Sequence, residues 1–318
     1  MTDSTLSLSQ PKIAVFRTVY DAYCLGIGAI ASNAAMLRFF LYCSAFSFLQ
    51  FALQHGAALW IYLNLEEGRA DGIQIAISIL SFAAFAFVQT PLGIAIQRST
   101  LLGEQPDVTY LASVMNRRGR RYLLASILIS VPFCLANFAE PVVNLALFGE
   151  PFINSDMIVD QIPPDYYLVI LLTAIFGAYA GASLIATRGA FIFPSIATDR
   201  LASFHQGFGE TRHATLRLLL ILTIASVPLA VIGIAALAYA IVTSISPLFE
   251  SLSISNAAAT IPFDQVLLGL VQSPTVIIAG AVGLAAYMLW LLILAAGTAR
   301  AYQISVDRGL SGIAEIFS

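Results

Sequence analysis

Charged residues are scarce in this sequence of 318 residues. They make up only 10% of the chain, whereas soluble domains carry about 25%. At the same time, 59% of the residues are hydrophobic and many of them fall into long apolar runs. This combination excludes an ordinary soluble domain and predicts an integral membrane protein of the all-α class.

Features that would indicate a chemical activity are also missing. The three cysteines show neither a C-x-x-C spacing nor a disulfide framework. Glycine-rich phosphate loops and a complete nucleophile elbow are absent, and the basic segments lack the interleaved aromatic residues of a nucleic-acid binder. No charged residue lies near the middle of a predicted span, although ion-coupled pumps use such groups. We therefore predict no cofactor, no metal, no catalytic residue and no nucleic-acid partner, and the polar first ten residues predict no cleaved signal peptide.

Six apolar segments reach the ~20 residues needed to cross the hydrocarbon core of a bilayer. They cover residues 39–65, 72–97, 122–141, 166–187, 218–244 and 274–299. Residues 142–148 and 265–273 are predicted to lie at the outer interface. The segment 11–37 repeats apolar residues every three or four positions but is too interrupted to span. It predicts a helix lying in the membrane interface, with a helix packed on the bundle as the alternative.

Lys and Arg are distributed unevenly between the segments that connect these spans. Fourteen of the fifteen lie before the first span, in residues 98–121, in residues 188–217 or after the sixth span. The other connections hold only Arg69, together with nine acidic residues. Because basic residues are retained on the cytoplasmic side, this pattern predicts a bacterial inner-membrane protein with both termini in the cytoplasm.

A twelve-residue pattern occurs twice, at the start of the third span and at the start of the fifth. Residues 121–132 and 217–228 align without a gap and share six identities, including a final Ser-Val-Pro. The sequence therefore predicts a single membrane domain over residues 1–318, built from three parallel hairpins that are each preceded by an amphipathic surface helix. The hairpin units cover residues 11–98, 99–188 and 189–303, and residues 304–318 form a short cytoplasmic tail.

Two glutamines lie within the first two predicted spans. Gln50 and Gln89 are about 18 and 14 Å from the predicted cytoplasmic edge, at 1.5 Å per residue. At that depth they predict an intramembrane hydrogen bond between the first and second spans.

Small residues occur four positions apart in two other spans. They are Gly177 and Gly181 in the fourth span, and Ala279 and Gly283 in the sixth. Such pairs let helix backbones approach closely, so they predict helix packing within the chain, with homodimerisation as the alternative.

The segment 189–216 contains three residue types that bind metals. His205, Glu210 and His213 match no established metal-ligand spacing, and apolar residues at helical intervals around them indicate a surface helix. An intramembrane enzyme is the third alternative, and it would require these three side chains to meet around one cavity.

Residues 89–122 combine an acidic turn, Leu-Leu-Gly-Glu at 101–104, with four arginines within five positions (Arg117, Arg118, Arg120 and Arg121). These arginines hold the loop in the cytoplasm and predict contact with anionic lipid head groups or with another membrane protein.

These motifs also resemble those of a group of membrane proteins. With Arg98 followed after two residues by Leu-Leu-Gly-Glu, and with Arg-Tyr opening the third span, the chain resembles a group of bacterial six-span inner-membrane proteins to which no activity is assigned. The stretch Arg188-Gly-Ala-Phe-Ile-Phe-Pro194 resembles the exit of their fourth span. The resemblance covers about residues 90–230 and implies a six-span architecture, and it implies no particular activity.

The sequence thus predicts a non-enzymatic membrane protein that binds lipid or a membrane partner, as an accessory subunit would. The alternative is a transporter or channel for a neutral or apolar small solute. A continuous polar or water-accessible cavity lined by Gln50, Gln89 and their neighbours would favour transport, whereas a solid bundle with an exposed apolar groove would favour lipid or partner binding.

Overall fold

The computed structural model describes residues 13–64, 67–106, 109–149, 164–200, 204–212, 214–254 and 273–317. All regular secondary structure within these ranges is α-helical. The helices are α1 (Val15–Ser32), α2 (Ala34–Asn64), α3 (Glu67–Leu102), α4 (Tyr110–Met115), α5 (Arg117–Ala136), α6 (Ala139–Phe148), α7 (Pro164–Gly189), α8 (Ile192–Ala197), α9 (Phe204–Thr211), α10 (Thr215–Ile254) and α11 (Pro274–Phe317). The predicted outer segment 265–273 lies outside the described residues except for Ser273.

Six helical stretches are long and apolar enough to cross a membrane, which confirms that prediction. They are Ala34–Gln54, Ile79–Leu102, Arg117–Phe148, Tyr166–Ala197, Thr215–Ala240 and Pro274–Ser305. The third extends further than predicted because α6 resumes directly after a turn at Asn137 and Phe138. Residues 142–148 therefore continue an apolar helical stretch, which ends where Gly149 adopts a φ of 80°.

The segment 11–37 forms part of two helices rather than one. Asn33 ends α1 and caps α2, because its side-chain oxygen accepts hydrogen bonds from the backbone nitrogens of Ala35 (2.8 Å) and Met36 (3.3 Å). Helix α1 packs on the bundle, which is the alternative reading of this segment. Its Tyr23 hydroxyl donates to the Ala225 carbonyl over 2.7 Å.

Five of the long helices form a ring. Helix α3 contacts α5 and α11, α5 contacts α7, α7 contacts α10, and α10 contacts α11. Helix α2 packs outside this ring against α3, and α1 packs outside it against α10 and α11. The ring is held together by apolar clusters, such as the one that joins Met36 and Phe39 of α2 to Leu92 of α3 and Leu292 of α11.

The ends of α3 and α7 and residues 300–302 of α11 meet the starts of α5 and α10 at one end of the bundle. We call this the arginine end, because Arg98, Arg118 and Arg300 lie there. Phe191, just after α7, packs against Leu218 of α10 and Tyr302 of α11 in one buried cluster.

The segment after α3 folds back against the bundle, instead of forming the surface loop predicted over residues 98–121. Helix α3 continues past Arg98 to Leu102, and α4 packs against α3 and α5. Its Tyr110 reaches α3, where the hydroxyl donates to the Val88 carbonyl in the turn before Pro91. The Tyr110 ring packs edge-on against Phe39 with ring centroids 5.2 Å apart. The Tyr110 hydrogen bond and ring contact thus join α4 to both α3 and α2.

Among the described residues, no other helix comes close to three of the four small residues for which helix packing was predicted. A Cβ atom built on Gly177, Gly181 or Gly283 would have no heavy atom of another helix within 4 Å. Ala279 is half-buried. The i,i+4 spacing of small residues allows close approach but does not decide whether a neighbouring helix faces them.

Candidate functional site

A cavity of about 480 Å³ lies inside the ring of α3, α5, α7, α10 and α11. Its apolar lining residues are Leu92, Ile96, Ile129, Phe133, Ala186, Ala190, Phe193, Leu219, Leu222, Trp290, Leu291, Leu294 and Ala295. The cavity extends along α3 from Gln97 to Gln89 and along α11 from Thr298 to Trp290, which is about 12 Å at 1.5 Å per residue. This volume is in the range of small-molecule sites, so the bundle is not solid.

The polar groups in the lining are neutral amides, hydroxyls and an indole. They belong to Gln89, Thr90, Gln97, Tyr122, Ser126, Ser183, Thr187, Thr223, Ser226, Trp290 and Thr298, and no lining residue carries a charge. An ionised ligand would lose its hydration here without gaining a counter-charge. The cavity therefore suits a neutral molecule.

Several of these groups are held by hydrogen bonds inside the protein. The Trp290 indole nitrogen donates to Ser226 Oγ over 2.6 Å, and Gln89 Nε2 donates to the Tyr287 hydroxyl over 2.7 Å. The Thr187 hydroxyl donates to the carbonyl one turn earlier in its own helix, at Ser183 (2.7 Å). The positions of these side chains are thus fixed without a ligand.

One buried lining atom has no partner. The amide oxygen of Gln97 makes no hydrogen bond, although this residue is only 1% exposed. A buried acceptor without a partner costs about 1–3 kcal/mol relative to a paired one. It therefore marks the place in the cavity where a hydrogen-bond donor would be most favourable.

Helix α8 borders the cavity near the arginine end. Its Phe193 lines the cavity and packs against the Tyr122 ring of α5, with ring centroids 4.9 Å apart. Ser195 lies 3.3 Å from the Tyr302 hydroxyl of α11. Almost all of α8 is buried between the cavity and the arginine end, and we call this short helix the floor of the cavity.

Arg98 links α3 to this floor helix, α8. Its Nη1 donates to the carbonyl of Ala197, the last residue of α8, over 2.7 Å. The same guanidinium pairs with Glu104 of the Leu-Leu-Gly-Glu turn and lies 3.6 Å from Asp199 Oδ2. Asp199 is also paired with Arg118, whose Nε is 3.0 Å from Asp199 Oδ1. The Arg98–Asp199 and Asp199–Arg118 pairs thus connect α3, the residues after α8, and α5.

Asp199 holds a backbone conformation that glycine would adopt more easily. Its φ is 56°, in the left-handed region, and the nitrogens of Asp199 and Arg200 bond back to the carbonyls of Ile196 (3.2 Å) and Ser195 (3.0 Å). This is the usual glycine-type helix C-cap, here occupied by an aspartate. The carboxylate thereby reaches Arg118, and that ion pair explains an aspartate at a glycine position.

The charge of Asp199 is stabilised by its surroundings. The hydrogen bond from Arg118 lowers the pKa of the Asp199 carboxyl below its ordinary value, and the nearby charges of Arg98 and Arg121 add to this effect. A lowered pKa means that the ion pair contributes stability at neutral pH and loses it only as the pH falls through the acidic range below that ordinary value.

The two predicted glutamines have different partners. Gln50 Nε2 donates to the Ser81 carbonyl over 2.7 Å and so links α2 to α3, the first and second spans. Gln89 instead bonds to Tyr287 of α11 and lines the cavity, which Gln50 does not. Spacing from the membrane edge gave their depth but not the helix that each one faces.

The four predicted surface arginines are not equivalent. Arg117, Arg120 and Arg121 are exposed at the start of α5. Arg118 is half-buried and pairs with Asp199. Three of the four are therefore available to head groups, and the fourth helps to hold the floor of the cavity.

Metal chemistry finds no support in the described part of the chain, where no three His, Cys, Asp or Glu side chains converge. The side chains of His205, Glu210 and His213 lie outside the described residues.

Sequence reasoning missed Gln97, Thr298 and Trp290 as cavity residues. A signal for them exists in the spacing of polar residues along the spans, for example Thr90 with Gln97 and Ser183 with Thr187, which place neutral polar groups on one helix face. Comparison of the chain with protein-family models, with curated proteins and with solved structures found no match.

Proposed function

We propose that this multi-pass membrane protein binds a neutral, mainly apolar small molecule in the central cavity and has no enzymatic role. The observation that carries the proposal is the cavity itself. It lies among six helices long and apolar enough to span a membrane, is lined without charge, and has fixed polar groups at both ends. Neutral polar groups placed in an apolar cleft are typical of small-molecule sites.

Two binding functions fit such a site. In an accessory protein the ligand would be a lipid or a lipid-like molecule that stays bound. In a transporter of a neutral solute the ligand would leave through the arginine end. The second function is favoured by helix α8, a separate short element that borders the cavity and is held by side-chain bonds such as Arg98 to Ala197.

Filling the cavity tests the binding proposal. The chain has only two tryptophans, Trp60 and Trp290, so a Trp60→Phe background leaves Trp290 as a reporter inside the cavity. We expect 8-bromo-1-octanol to quench Trp290 fluorescence saturably in nanodiscs, because bound bromine would approach the indole. Ala295→Phe should remove this saturable quenching, since the added ring occupies the cavity.

The matched control is Ala285→Phe, which adds the same ring to an exposed position on the same helix. It should leave quenching unchanged. Quenching that never saturates in the unaltered protein, or that survives Ala295→Phe, would overturn the proposal. Native mass spectrometry of the protein released from nanodiscs, with and without Ala295→Phe, would identify any molecule that co-purifies.

We further propose that the arginine end faces the cytoplasm of a bacterial cell, and that the six spans form three parallel hairpins with both termini on that side. Support comes from the Lys and Arg distribution and from the contacts of α2 with α3, α5 with α7, and α10 with α11. Exposed Arg117, Arg120 and Arg121 would then meet anionic head groups of the inner leaflet. A cysteine at Arg120 should react with a membrane-impermeant maleimide only in inverted vesicles, and reaction in right-side-out vesicles would refute this orientation.

A further inference from the structure

The orientation of the Gln97 amide follows from its neighbour Thr298. The Thr298 hydroxyl lies 2.9 Å from the Leu294 carbonyl and 3.0 Å from the Ala295 carbonyl, and both of these oxygens can only accept. The hydroxyl proton is therefore used within α11, and the Thr298 oxygen faces Gln97 as an acceptor. Gln97 must present its NH₂ group to Thr298, at 3.4 Å, which leaves its oxygen unpaired in the cavity lining.

Other hydrogen-bond donors in the cavity lining also donate to groups within the protein. The amide of Gln89 and the indole of Trp290 both donate to protein oxygens. The hydroxyls of Thr187 and Thr298 donate to carbonyls of their own helices. The side chains whose bonds are described thus use their protons inside the protein, whereas Gln97 Oε1 is a buried acceptor that lacks a partner.

We propose that the ligand of the cavity is a neutral, mainly apolar alcohol or amide, and that its O–H or N–H donates a hydrogen bond to Gln97 Oε1 after this buried amide turns toward the cavity. This inference rests on the proposed binding function and adds the chemical class of the ligand. The polar group of the ligand lies at the arginine end, and its apolar part extends toward Trp290.

The test compares two probes that differ only in the donor. In the Trp60→Phe background, 8-bromo-1-octanol carries a hydroxyl and 1-bromo-8-methoxyoctane carries none. Quenching by probe that only partitions into the bilayer is measured with the Ala295→Phe protein and subtracted. The alcohol should then bind about tenfold more tightly than the ether, as expected for one buried hydrogen bond. Gln97→Met keeps the length of the side chain without an amide oxygen, and it should reduce this preference to about one.

Gln89→Met is the matched control, because it removes the other cavity glutamine of α3, whose amide already donates to Tyr287. It should keep the tenfold preference for the alcohol. Thr298→Val provides a second test that leaves Gln97 in place. It frees the Gln97 NH₂ group, which can then donate a hydrogen bond to the ether oxygen. Because the ether then binds more tightly, the preference for the alcohol over the ether should decrease.

The outcomes separate the two proposals. Saturable binding of both probes with the same preference in the Gln97→Met and unaltered proteins would overturn the hydrogen bond to Gln97 and leave cavity binding intact. A complete lack of saturable quenching would overturn the binding function as well. Displacement of the bromoalcohol by dioleoylglycerol in the nanodisc would indicate a bilayer source for the alcohol, and displacement by 1-octanol alone would indicate a short solute.

Discussion

Replacing Gly119 with alanine should destabilise the protein by about 3 kcal/mol, near the upper end of overpacking effects. A Cβ atom on Gly119 would lie 2.0 Å from the Ser113 carbonyl oxygen and 2.5 Å from the Val114 carbonyl oxygen. Both atoms belong to the backbone of α4, so no side chain can move aside. The start of α5 would have to separate from α4.

The change can be measured as the loss of folded protein during thermal or denaturant unfolding in detergent. Gly233→Ala is the control, because a Cβ atom on Gly233 in α10 would meet nothing within 4 Å. There the alanine should be neutral or stabilise the helix by up to about 1 kcal/mol. Equal stability of the two variants would mean that α4 does not pack tightly against α5.

Replacing Arg98 with methionine should release helix α8 from the end of the cavity. The variant loses the donor to the Ala197 carbonyl and the partner of Glu104, while methionine retains most of the apolar contact of the side chain. Hydrogen bonds that involve a charged group contribute about 1.5–3 kcal/mol each, so we expect a loss of about 2 kcal/mol in the stability of α8 on the bundle.

A cysteine at Ser195 reports this release, because Ser195 in α8 is only 5% exposed. With Cys24 and Cys134 changed to serine, and Cys43 fully buried, Ser195→Cys should react with a maleimide about thirtyfold faster in the Arg98→Met protein, as expected for 2 kcal/mol.

Arg120→Met serves as the control for charge, since Arg120 is exposed at the start of α5. It should leave the labelling rate unchanged. Asp199→Gly removes the carboxylate but suits the left-handed backbone, so it separates the ion pair from the helix cap. Labelling that does not depend on Arg98 would show that α8 is held by apolar packing alone.

The spans could be predicted because each is a long apolar run, and a bilayer core requires about 20 such residues. The helix boundaries were harder to predict from the sequence. Helix α2 begins at Ala34 because Asn33 caps it, although Arg38 marks the start of the apolar run. An apolar run shows where the membrane begins, whereas a cap shows where the helix begins.

The candidate site could not be predicted in the same way, because it is formed by contacts between residues that are far apart in the sequence. Arg98 meets Ala197, which is 99 positions away, and Gln97 meets Thr298, which is 201 positions away. The Leu-Leu-Gly-Glu turn was visible as an unusual feature, but its role appears only when Glu104 is seen beside Arg98. The glycines of the fourth span show the limit of spacing in another way, because no other helix among the described residues lies within 4 Å of a Cβ atom built on either one.

The position of α1 has a consequence for how the chain assembles. Its Asp21 pairs with Arg300 of α11, with the two atoms 3.0 Å apart, and its Ala22 methyl group packs against Gly297. Most of the surface on which α1 docks belongs to α10 and α11, and Arg300 of α11 is synthesised nearly 280 positions after Asp21. At 5–20 residues per second this interval lasts on the order of tens of seconds. Helix α1 is therefore translated well before most of its docking surface, so it can reach its full packing on the bundle only after α10 and α11 have been synthesised.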